Sequence, residues 1–126
     1  MAALESCTIK FYTNGADKKA DARITVTVRD DNDVVAALVS NEFGYFEEHS
    51  NNGPFDLAVL NASEKGDLRR GSITIRLEPP GDDVWRFNFF TALMFSDGTR
   101  CSGGEVELEL NRSRNEQAFG LEAIFR

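Results

Sequence analysis

Few residues in this chain can carry chemistry. His49 is the single histidine, set in GYFEEHSNNGPF, so any serine–histidine–carboxylate relay must use it and a multi-imidazole metal site is impossible. Beside Ser, Asn and Gly-Pro it reads as a solvated loop residue, with no nucleophile on a tight turn to mark it as a base. Cys7 and Cys101 are the only cysteines and contain no CxxC, which removes thiolate zinc sites. They could pair, but a reduced compartment favours reading both as small core residues.

Carboxylates are abundant: 21 acidic residues stand against 14 basic ones, for a formal net charge of −7. That balance argues against a duplex nucleic-acid binder, which needs a clustered cationic surface. Asp30-Asp31-Asn32-Asp33 puts several hard oxygens on one turn, as calcium prefers. With loop acids from elsewhere, the candidate calcium ligands are Asp21, Asp31, Asp33, Asp82 and Asp83. The competing reading is that Asp and Asn are ordinary hairpin residues, and the run lacks the glycine and terminal glutamate of a helix–loop–helix calcium loop. Glu105, Glu107 and Glu109 form a row that either guards a strand edge or docks a basic partner. A carboxylate pair for glycoside cleavage is not specified by composition alone, because separation and pKa decide it.

The elements that must position these groups are strands. Cys7, Ile9 and Phe11 alternate with polar neighbours, as do Ala22 to Val28, Ile73 to Leu77, Val106 to Leu110, and Phe119 to Phe125, each with one wet face and one dry one. Turn signals separate them: Asn14-Gly15, Asp30 to Asp33, Asn52-Gly53-Pro54, Pro79 to Asp83, Asp97-Gly98 and Gly103-Gly104. Trp85, Phe87, Phe89, Leu93 and Phe95 share one face of a central strand whose other face, Phe90, Ala92 and Met94, is expected to be at least partly covered. Val34 to Val39 reads better as a strand than as a helix, and Ala62 to Asp67 as one helical turn ending at Gly66. The expected fold is all-β, a single antiparallel β-sandwich of about eight strands over residues 1–126, with Val106 and Leu108 in its core.

Surface candidates come from loops. Phe43, Tyr45, Phe46 and Phe55 make an aromatic-rich middle; Tyr45 and Phe46 are the candidates for exposure at a loop tip, although core placement is the commoner fate. Lys18-Lys19 and Arg69-Arg70 are basic pairs in expected loops, able to meet anionic lipid at about 1 kcal/mol per charge. No apolar run approaches the roughly 20 residues of a membrane span, and the opening MAALESCTIKFYTNG has no basic start and long apolar stretch. A cytoplasmic location is therefore expected.

In order, Cys7 to Gly15, Ala20 to Val28, Gly53-Pro54-Phe55-Asp56-Leu57, Gly71 to Leu77 and Asp83-Val84-Trp85-Arg86-Phe87 resemble the PLAT/LH2 domain, the β-sandwich of lipoxygenases, lipases, polycystins and plant stress proteins. The likeness covers roughly residues 7 to 101. It departs from the family at Ala20, where a threonine is usual, and after Gly103-Gly104, where two further strands replace a closing Trp-Leu strand. The resemblance implies a non-catalytic module that docks on a lipid surface or protein partner, sometimes with calcium. No nucleophile elbow, phosphate loop or dinucleotide fingerprint contradicts that. The alternative is a small lectin-like sandwich that holds sugar hydroxyls with exposed aromatics and Asp or Asn. A third reading is a homo-oligomer built by pairing strand edges.

Overall fold

Ile24, Val26 and Val28 are wholly buried while the residues between them reach solvent, so the alternation that predicts strand β2 (Arg23–Arg29) also sets its inner face. The same logic builds β1 (Leu4–Thr13), β3 (Val35–Asn41), β4 (Asn51–Val59), β5 (Ser72–Glu78), β6 (Trp85–Phe95), β7 (Arg100–Leu110) and β8 (Glu116–Gly120), with short helices α1 (Lys65–Arg69) and α2 (Leu121–Ile124). This computed structural model describes residues 2–15, 17–18, 22–78, 84–111 and 113–124, without the side chains of 123 and 124.

All pairings are antiparallel, in the order β7-β6-β1-β4-β3-β2-β5-β8. The expected sandwich is thus corrected to one eight-stranded sheet curled into a nearly closed barrel. The reason lies in β4. Residues from Asn51 to Leu57 pair with β1, and Ala58 and Val59 pair with Leu38 and Ala37 of β3, so one strand stitches together what would otherwise be two sheets.

Two glycine signals read as turns lie inside strands. Asn52-Gly53-Pro54 forms a bulge in β4, between the pairs Ile9–Phe55 and Phe11–Asn52. Gly53 takes φ +110°, and a Cβ there would lie 3.0 Å from the Ile9 carbonyl oxygen. Gly104 lies opposite Phe90, where a Cβ would fall 1.8 Å from the Phe89 carbonyl oxygen; glycine marks close backbone approach here, not a turn. The expected helical turn is displaced too, because α1 runs through Gly66 to Arg69 and buries Leu68. Beyond Gly120 the chain leaves β8 and turns into α2 instead of continuing as a strand.

Aromatic rings fill one end of the barrel. Trp85 stacks on Phe87 with centroids 3.9 Å apart, and Phe11 meets both edge-on at 5.3 and 6.1 Å. Phe46, Phe43 and Phe55 extend the cluster. The segment carrying Phe43 and Tyr45 is not a strand. Phe43 and Gly44 both have positive φ, and this bend drops Phe46 into the core, where it is 1% exposed. Lys18 follows it. The Lys18 and Phe46 backbones exchange two hydrogen bonds, and the buried ammonium lies 4.9 Å from the Phe46 ring centre while donating to the carbonyls of Ala22 at 2.9 Å and Glu42 at 2.5 Å.

Cys7 and Cys101 are free. Both lie in register with Leu93, Cys7 from β1 and Cys101 from β7, so β6 separates them by two strand spacings, roughly 10 Å, beyond disulfide reach. Burial pushes the Cys7 thiol up to about 12 against a weaker lowering contact from Thr91, which leaves it inert.

Lys18→Ala is expected to cost about 2–4 kcal/mol, since it empties a packed site and removes the ammonium from the buried Ala22 carbonyl and the part-buried Glu42 carbonyl. Urea unfolding checks this; a loss under about 0.5 kcal/mol, the range of ordinary surface changes, would show that the ammonium does not hold this end together.

Candidate functional site

The outer face of β1, β4, β6 and β7 carries a mainly apolar concavity. It begins at a bulge. Between the pairs Phe87–Leu108 and Phe89–Glu105, β6 spends one residue, Asn88, where β7 spends two, Val106 and Glu107. Glu107 is held at φ +57°, in the left-handed region that suits glycine. Its N–H donates at 2.8 Å to the Asn88 side-chain oxygen, which also accepts from the Asn14 amide at 2.9 Å. These two bonds pin the bulge.

The extra residue shifts the strand's phase. Expected in the core, Val106 is instead 65% exposed, and Glu105, expected to face water, pairs with core Phe89 and shares its face. After the bulge the expected phase returns: Leu108 is half-buried and Leu110 buried. The second face of β6 is also more open than predicted, with Phe90 47% and Met94 39% exposed and only Ala92 covered.

Beside the bulge lies a groove of about 400 Å³, within the roughly 300–1,000 Å³ of small-ligand sites. Its aromatic and apolar surface comes from Tyr12, Phe90 and Val106, and its polar groups from Lys10, Asn51, Asn88 and Glu105. The strands explain the grouping: Lys10 pairs with Phe90, while Tyr12 pairs with both Asn88 and Asn51, so successive outward positions of three strands converge. The described lining holds one carboxylate and one ammonium, with no imidazole or thiol. Such a set can stack on a flat apolar ligand face and hydrogen-bond its rim.

The residues expected to bind from loops are dispersed. Lys18 and Phe46 are buried, which corrects their expected exposure: the aromatic core claims the ring and the ring claims the ammonium. Tyr45 is half-exposed, and its phenol donates a short hydrogen bond to the Asp17 carboxylate. That bond, then burial and the Asp17 charge, raises the phenol's pKa. Arg69 and Arg70 are exposed, at the opposite end of the barrel by the antiparallel path of the chain. Arg70 binds Asp31 at 3.0 Å and Asp67 at 3.4 Å, and Asp33, at φ +64°, faces Arg29 at 3.6 Å. Lys19, Asp21, Asp82 and Asp83 lie outside the described residues. Among the described residues no three His, Cys, Asp or Glu side chains come close enough to hold a metal ion. His49 is an exposed turn residue whose backbone N–H donates to the Thr13 carbonyl at 2.7 Å.

The acidic turn is organised by the one aspartate not proposed as a ligand. Asp30 accepts from the N–H groups of Asn32 and Val34 through one oxygen and from the Ser63 hydroxyl through the other. Burial works to raise its carboxyl, but the Val34, Ser63 and Asn32 donors outweigh burial and hold it below the ordinary aspartate value. Comparison of the chain with family models, with curated proteins and with solved structures finds no match.

Two expectations follow. Glu107→Gly should stabilise the protein by about 1 kcal/mol by relieving the left-handed backbone, read as a rise in thermal midpoint; a fall would mean that the Glu107 side chain outweighs the strain. Because the folded Asp30 pKa is depressed, its contribution is complete above the unfolded value near 4 and disappears as pH drops through the folded value. The stability gap between wild type and Asp30→Ala should accordingly narrow in acid below about pH 4, and a gap independent of pH would refute the linkage.

Proposed function

We propose that this protein is a non-catalytic carbohydrate-recognition module whose binding surface is the groove over the β6–β7 bulge. One observation carries the reading: Phe90, nearly half exposed on a rigid central strand, lies beside Tyr12 in a groove edged by two asparagine side chains, a lysine and a glutamate. A sugar ring offers an apolar C–H face to an aromatic ring and a rim of hydroxyls that both donate and accept. The Asn88 oxygen is already engaged by Glu107 and Asn14, while its amide nitrogen donates to no protein group among the described residues. Lys10 adds donors and Glu105 acceptors. Because the groove sits on paired strands, little ordering cost accompanies binding.

The PLAT-like reading, docking on a lipid surface or protein partner with calcium assistance, is supported by the apolar row of Phe90, Met94 and Val106. It is weaker for lipid. Among the described residues Lys10 is the single cation in the groove lining, Arg70 is engaged by two carboxylates, and the chain's net charge of −7 opposes an anionic bilayer.

Immobilised neutral oligosaccharides should retain the protein and free sugar should release it, with Phe90→Ala weakening binding about tenfold or more, some 1.4 kcal/mol, at an unchanged thermal midpoint. No retention on any glycan, together with pelleting on vesicles, would transfer the groove to the lipid reading.

A further inference from the structure

The barrel has one unfinished side. β7 and β8 end the sheet order; among the described residues β7 pairs only with β6, and β8 only with β5. Among the described residues the gap between them is spanned by α2, which approaches both strands, by the Gln117 amide donating to the Glu109 carbonyl at 2.9 Å, and by the Phe89 and Phe119 rings at 5.5 Å. These bridges leave the outer backbone edge of β7 from Arg100 to Leu108 with no strand on it among the described residues. The inward residues Cys101, Glu105 and Leu108 are only half-buried, as befits a core wall left ajar.

An unpaired edge of this length is a template for another strand, because its N–H and C=O groups are already aligned for pairing. Charge selects the occupant. Glu105, Glu107 and Glu109 lie along β7, with Glu116 on β8 and Glu122 on α2; of the nearby described cations, Arg86 is engaged by Glu109 at 2.9 Å, Arg76 lies opposite Glu116, Arg114 shares a depression with Glu107 and Glu109, and Arg100 stands at the far start of β7. A second copy of this chain, pairing β7 against β7, would bring Glu105 and Glu107 of both copies together, which like-charge repulsion disfavours. A basic strand reverses that sign. We infer that the β7–β8 seam receives an extended, lysine- or arginine-rich segment of a protein partner, which adds to β7 as a further strand. Backbone bonds supply affinity, the glutamates select for basic side chains, and Leu108 and Phe119 meet the apolar residues between them. This surface borders the carbohydrate groove, whose lining also includes Glu105.

The test uses the full chain, isotopically labelled, titrated with the peptide acetyl-Lys-Val-Lys-Thr-Lys-Val-Lys-Thr-amide and followed by amide NMR shifts. Shifts should concentrate on β7 and β8 and weaken with added salt. Replacing the peptide's lysines by glutamate, or methylating alternate backbone nitrogens with the charge kept, should each weaken binding about tenfold or more. The double substitution Glu105→Gln with Glu107→Gln should weaken it severalfold, with circular dichroism confirming the fold. Equal binding of the methylated peptide would reduce the effect to charge attraction and overturn the proposal. So would shifts confined to Phe90 and Tyr12, absence of binding, or a concentration-dependent dimer through β7 in light scattering.

Discussion

The fold rests on the burial of Trp85 at one end of the barrel. A wholly buried indole must find an acceptor for its N–H, and Thr13 supplies it at 3.0 Å from the last residue of β1. That bond fixes the end of β1 against the start of β6, which are paired from Leu4–Phe95 to Thr13–Phe87. Once the indole is set, Phe87 stacks on it, Phe11 meets both edge-on, and the β3–β4 segment folds back to bring in Phe46. Lys18 then closes the cluster, its ammonium donating to two carbonyls beside the Phe46 ring face. Each step depends on the preceding one, so local sequence around Lys18 gives no hint of its burial.

Alternation made most of the strands legible, because a period of two survives wherever strands pair without interruption. Ile24, Val26, Val28, Ile73, Ile75, Leu77 and the Trp85–Phe89 series are buried as the pattern predicts. What alternation cannot specify is how many sheets the strands make. A sandwich and an open barrel share the same inward and outward residues and differ in whether one strand changes partner midway, as β4 does at Ala58. Nor can alternation anticipate a bulge. Val106 and Glu105 exchange faces because Asn88 opposes two residues, and no residue type in GGEVELEL marks that position, since Glu107 occupies a conformation that glycine would ordinarily take.

The groove was hidden for a related reason. Phe90 and Met94 read as the second apolar face of a buried strand, and an apolar outward row is the same string whether another layer covers it or not. The signal was present as three alternating apolar positions, Phe90, Ala92 and Met94, but only the absence of a covering layer among the described residues turns it into a surface. Some of the loop candidates are engaged in ways the sequence does not show. Basic pairs and aspartates look available in sequence because pairing partners such as Arg70 and Asp31 are distant along the chain and adjacent only in the fold.

The bulge joins the two surfaces physically. It presents Val106 to the groove on the outer face and, through the same phase change, puts Glu105, which also lines the groove, on the face of Phe89. A flat, continuously alternating β7 would bury Val106, place Glu105 outside, and leave an uninterrupted edge suited to indiscriminate pairing. Bulges and inward-pointing charges are the usual means of discouraging that. The left-handed backbone at Glu107 costs about 1–2 kcal/mol, offset by the two bonds that the Asn88 side-chain oxygen accepts, from the Glu107 N–H and the Asn14 side chain, and by the core that β7 still completes through Leu110. The strained Glu107 thus stands at the junction of the groove proposed to take a ligand and the edge proposed to take a strand, so the same backbone kink shapes both.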